Sequence, residues 1–153
     1  MSRREALWRR EAILRFRAGG WAIGVGVFAS LGALTPLALG GEAALLTAAG
    51  PGLLWIILGL SVFLGTEGLF EDDLRSGVIE QFALSPIALA EVMLVKLTVA
   101  WLFFTIPALL VMPILLLGYG AGLASWGALL LASPGLVFTA GTVAALAAGQ
   151  RRG

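Results

Sequence analysis

Glu71, Asp72, Asp73, Arg75 and Glu80 stand together in FEDDLRSGVIEQFALSPIALAEVMLVK, residues 70 to 96 of a chain that is otherwise nearly pure hydrocarbon. Neighbouring carboxylates such as Asp72 and Asp73 can bind a divalent cation or share general acid and base work, but either task needs a further partner, and no third ligand stands nearby. The chain contains no histidine and no cysteine. That removes the commonest general base, the usual axial ligand of haem iron, thiolate metal sites, disulfides and the c-type haem attachment motif. A haem held by this chain alone would have Met93, Met112 or Tyr119 to ligate it, or nothing. With no nucleophile and base in view, the acidic stretch reads as a solvated or docking surface, and the protein as no enzyme.

Phosphate chemistry is equally absent. Lys96 is the single lysine and has no glycine-rich run before it, so no GxxxxGK[ST] loop exists and the chain should not bind ATP by itself. GVGVFA, residues 24 to 29, matches the glycine spacing of dinucleotide binding but lies inside an apolar run, without the strand and helix that the motif requires. No nucleic-acid partner is expected.

The elements that position the charged stretch follow from composition. Of 153 residues, 59% are hydrophobic and 12% charged, far from the soluble average; the mean hydropathy is +0.99. Uncharged runs cover 18 to 41, 43 to 66 and 97 to 150, against roughly 20 residues for one helical span. The reading is an all-α integral membrane protein, one membrane domain over 1–153, with four spans at 21–39, 52–69, 86–117 and 123–149. An interfacial helix precedes them in 1–18 and a cytoplasmic coupling segment fills 70–85. Four such charges at the bilayer centre would cost about 2.5 to 3.5 kcal/mol each on insertion scales, so the 70–85 segment belongs at or beyond the interface.

All ten basic residues, at 3, 4, 9, 10, 15, 17, 75, 96, 151 and 152, fall on one side of a four-span chain. The positive-inside rule makes that side cytoplasmic, together with the N-terminus. The basic flank followed by an apolar run resembles a secretory signal, but the run exceeds the 7 to 15 residues of a cleaved core, and it reads as an uncleaved span despite the small residues at 38 to 40. Within 3 to 17, Trp8, Ala12 and Phe16 make an imperfect apolar stripe, since Leu7 and Leu14 project elsewhere. This suits an interfacial helix with snorkelling arginines, the alternative being a solvated basic tail. Gly19-Gly20 allows a bend before Trp21, an aromatic suited to the interface belt.

Pro51 is expected to open the second span and the glycines of 118 to 122 to turn the chain between the third and fourth. Pro107, Pro113 and Pro134 should kink the helices that contain them. Gly20 and Gly24, and Gly141, Ala145 and Gly149, are small residues at four-residue spacing, suited to close helix approach or simply glycine-rich membrane composition. Val78, Ile79, Phe82 and Ala83 form one face of a short amphipathic helix with Glu80 and Gln81 off it, and Ser85-Pro86 then ends it and starts the next.

Phe70, Asp73, Gly77, Glu80-Gln81, Leu84-Ser85-Pro86, Lys96, Trp101 and Pro107, in this order and spacing, resemble the CcmB family, the membrane (permease) subunit of the ABC-type haem exporter of cytochrome c maturation. The likeness runs from about Leu14 to the end and includes PGLLW at 51 to 55 and the closing RRG, with SGVIEQFALSP as its most specific part. It implies a bacterial inner-membrane location, haem as transported substrate or as cargo released from a chaperone, and partners in a CcmA-like ATPase and in CcmC-, CcmD- and CcmE-like maturation proteins, besides membrane lipid. It also implies that Asp72, Asp73, Gly77, Val78, Ile79, Glu80, Phe82, Ser85 and Pro86 form the helix that docks on the ATPase. The family has six spans where this sequence shows four, so a truncated chain, even a non-functional one, is an expectation. A scaffold that assembles the maturation complex without transport is the rival reading.

Overall fold

The computed structural model describes residues 3–78 and 87–150. Six helices are described: α1 (Arg3–Ala18), α2 (Gly20–Ala38), α3 (Ala43–Thr66), α4 (Glu71–Arg75), α5 (Leu89–Tyr119) and α6 (Leu123–Gln150). The fold is all-α, and α2, α3, α5 and most of α6 are long and apolar enough to cross a membrane.

Glycines set the closest contacts. A Cβ at Gly24 would lie 2.7 Å from the Ser61 carbonyl oxygen and 3.1 Å from Gly65 Cα, so α2 and α3 meet backbone to backbone. Such an approach maximises dispersion between helices where lipid supplies no hydrophobic drive. This answers the Gly20 and Gly24 spacing. In the second stripe Gly141 packs under Leu97 of α5, whereas Gly149 faces open space.

Phe28, Leu54, Val62 and Val137 are fully buried where α2, α3 and α6 face α5. Tyr119 closes the far end: its hydroxyl donates to the Gly32 carbonyl at 2.9 Å, and its ring occupies the space a side chain at position 50 would need. Met112 lies in the same core, so two of the three side chains available to ligate haem are engaged in packing. Trp101 Nε1 donates to Ser133 Oγ at 3.0 Å and joins α5 to α6.

Two boundary expectations change. Pro51 lies inside α3, which begins at Ala43 after Glu42 in an extended conformation. The Ala-Ala-Leu-Leu run favours helix from its first residue, and a lost backbone bond at the proline does not outweigh the continuous apolar span around it. The third span starts at Leu89, with Ala88 extended before it, and α5 continues through Pro107 and Pro113 to Tyr119. The proposed start at Ser85-Pro86 lies outside the described residues.

The bend between α1 and α2 is where expected, at Gly19 with φ +70°, a left-handed conformation that a side chain would strain. It lets α1 fold back on the start of α5, with Leu7 against Val92, Val95 and Val99. Trp21 stacks on Phe16 at 6.3 Å between centroids.

Candidate functional site

The face of α1 that turns inward is Leu7, Glu11 and Arg15, each buried, at the four-residue spacing that lines up one side of a helix. Trp8 and Phe16, of the apolar stripe expected to lie along the membrane interface, are exposed on the bundle. To the bundle α1 thus brings hydrocarbon through Leu7 and charge through Glu11 and Arg15.

Lys96 lies about two turns into α5, and helical side chains lean toward the N-terminus. Its ammonium therefore reaches back toward the membrane surface, where α1 and α4 lie. There Lys96 Nζ meets Asp73 Oδ2 at 2.6 Å and Glu11 Oε2 at 3.0 Å. Arg10 takes the other oxygen of each carboxylate: Nη2 lies 3.1 Å from Asp73 Oδ1, and Nη1 contacts Glu11 Oε1. Two cations and two anions thus form a closed, neutral ring across α1, α4 and α5, every carboxylate oxygen used once.

Three members of the ring have side chains under a tenth exposed, and Arg10, at 34%, covers it from solvent. Lys96 also donates to the Leu69 carbonyl at 3.4 Å and sits 5.8 Å from the buried Phe70 ring. Removing one partner from such a group costs about 3–5 kcal/mol, because it strands a buried charge. Burial pushes the Asp73 carboxyl upward, but the hydrogen bonds and charges of Lys96 and Arg10 outweigh it and hold Asp73 below its usual 3.8.

Arg15 stands beside the ring. Its guanidinium donates to the Gly65 carbonyl and has no carboxylate within ion-pairing range among the described residues. Its Nε is buried without a partner. Burial lowers the Arg15 guanidinium to about 10.

Of the residues expected on the docking surface, Asp73 faces inward, the reverse of a solvated or partner-facing position, because Lys96 and Arg10 recover the Coulomb energy that its burial demands. Asp72 lies within α4, its side chain outside the described set. Gly77, at φ +69°, turns the chain after α4, and Val78 is half-buried. Ile79, Glu80, Phe82, Ser85 and Pro86 lie outside the described residues. Arg75, also in the charged stretch, pairs with Glu71 at 3.3 Å on the surface. In the sequence Arg10 and Arg15 read only as topology signals and Glu11 carried no reading, whereas the structure places all three at the site. The available cue was Glu11 itself, an acid in line with Leu7 and Arg15.

The family model described as "CcmB protein" matches residues 3–153. The chain belongs to the CcmB family. Among curated relatives of this CcmB chain, Heme exporter protein B of Pseudomonas aeruginosa is 40% identical over 152 residues, covering 96% of this chain and 68% of the relative. The protein of the same name from Bradyrhizobium diazoefficiens is 34% identical, with 100% of this chain and 71% of the relative covered. That of Paracoccus denitrificans is 31% identical, with 97% and 71% covered. The matched region thus spans about two thirds of these relatives' length. No solved structure matches the chain. Family and helices together make this a multi-pass bacterial membrane protein.

Proposed function

We propose that this chain is the permease subunit of an ABC-type haem exporter acting in cytochrome c biogenesis, and that the segment from 70 to 85 passes the motion of a partner ATPase into the spans. The observation that carries this reading is the charged ring. A segment that relays force must be fastened to the elements it moves, and Asp73 fastens the start of this one to α5 through Lys96 and to α1 through Arg10.

The names of the relatives, Heme exporter protein B, supply the substrate in this reading. Asp73 then acts as the anchor. The docking face is left to Asp72, Gly77, Val78, Ile79, Glu80, Phe82, Ser85 and Pro86. Hydrolysis belongs to a CcmA-like partner, with CcmC-, CcmD- and CcmE-like proteins alongside, and the basic end of the bundle faces the cytoplasm from the inner membrane.

The test is Phe82→Asp in the reconstituted complex. A carboxylate on the apolar docking face should uncouple ATP hydrolysis from the membrane subunit while the helical content of the spans stays unchanged. Unchanged hydrolysis together with unchanged cytochrome c maturation would overturn the proposal.

A further inference from the structure

Between α1, the chain from 67 to 76 and α5 opens a pocket of about 760 Å³. Its charged walls sort into two kinds. Arg10, Glu11, Asp73 and Lys96 satisfy one another in the ring, and Arg75 pairs with Glu71. Arg15 and Glu67 stand outside these pairs, and of the two Arg15 is the buried one: it is 7% exposed, its Nε lacks a partner, and it forms part of the pocket wall. Glu67 lines the same pocket from an exposed position without reaching ion-pairing distance of Arg15.

A buried guanidinium with an unused Nε donor and no counter-charge is matched by an oxyanion, which accepts its hydrogen bond and its charge at once. The other walls narrow the carrier. Leu14, Ala18, Leu69 and Val99 give the pocket an apolar side, and Leu14 is 42% exposed on an interfacial helix. Phosphate alone would leave most of this space empty, whereas a headgroup with a tail along α1 fills both the polar and the apolar part. With the other cations of the wall paired, Arg15 is the group left to receive an anionic headgroup, as basic side chains at the membrane surface do.

We propose that this pocket is a binding site for the oxyanion of a membrane amphiphile, received by Arg15. Two sources share that chemistry: the phosphate of an anionic phospholipid, and a carboxylate of haem, the second resting on the export reading above.

The full chain in phosphatidylcholine nanodiscs, titrated separately with phosphatidylglycerol (followed by native mass spectrometry) and with haem (followed by absorbance), tests this. Arg15→Gln should weaken binding of one of these ligands by about tenfold or more, and Arg17→Gln, exposed at the end of α1, should leave it within about twofold. Leu14→Glu keeps Arg15 but places a carboxylate at the mouth of the pocket, on a side chain too exposed to threaten folding, and should cause the same loss. Loss confined to phosphatidylglycerol supports a lipid site independently of haem export; loss confined to haem supports a cargo site. Binding of both ligands unaltered in Arg15→Gln and Leu14→Glu, or no binding of either to the native chain, would overturn the proposal.

Discussion

Asp73 and Lys96 meet at 2.6 Å across the boundary between a surface helix and a membrane span, and the second oxygen of Asp73 meets Arg10 at 3.1 Å. One carboxylate thereby joins the charged segment to two helices. The ring predicts strong coupling between its members: Lys96→Met should destabilise the chain in detergent by about 3–5 kcal/mol. Adding Asp73→Asn should cost much less than a second independent loss, because the anion that Lys96 left behind is gone. A double-mutant cycle on thermal or denaturant unfolding measures this, with a coupling of at least about 1 kcal/mol expected.

The same carboxylate predicts an acid limit. Its pKa is lower in the folded chain than the usual 3.8, so the unfolded state binds the proton more readily, and the stabilisation is complete above about pH 4 and is lost as pH falls through the folded value. The stability difference between native chain and Asp73→Asn should be constant from about pH 5 to 7 and shrink progressively below about pH 4. A difference that shrinks between pH 5 and 7 would contradict the ring.

Helix approach predicts a contrast between two glycines of α2. A Cβ at Gly24 would press on the backbone of Ser61 and Gly65, while one at Gly26 meets nothing within 4 Å. Gly24→Ala should therefore destabilise by about 1–3 kcal/mol, and Gly26→Ala should be neutral or slightly stabilising because alanine is the better helix former. Unfolding midpoints of the two variants in one detergent decide it.

Across α5 and α6, Trp101→Phe removes the donor to Ser133 Oγ but keeps most of the ring volume. The expected cost is about 0.6 kcal/mol, the typical size of a polar contact between membrane helices. Trp101→Ala should cost several times more, through lost packing as well as the bond.

Hydrocarbon was the legible part of this sequence. Runs of uncharged residues announce the four spans whatever their neighbours do, and Gly19, Gly24 and Gly120 stand where a turn or a close contact requires them. Pro51 misled because the rule that places proline at a helix start is local, whereas the extent of α3 is set by the apolar run around it. The ring was invisible for a different reason. Arg10 and Glu11 stand far along the chain from Asp73 and Lys96, and a charge pattern gives the side of the membrane without giving the partner. Arg15 shows the same limit: counted as one of ten basic residues, it sets topology, but only packing against Gly65 tells that it is buried without a counter-charge.

The segment from 70 to 85 is proposed to dock on a partner ATPase while it is fastened to the spans. Co-purification of the cognate ATPase subunit with the detergent-solubilised chain, beside a version in which residues 70 to 85 are replaced by a Gly/Ser linker, tests it most directly. The native chain is expected to retain the ATPase and the linker version to lose it; equal retention by both would contradict docking through this segment.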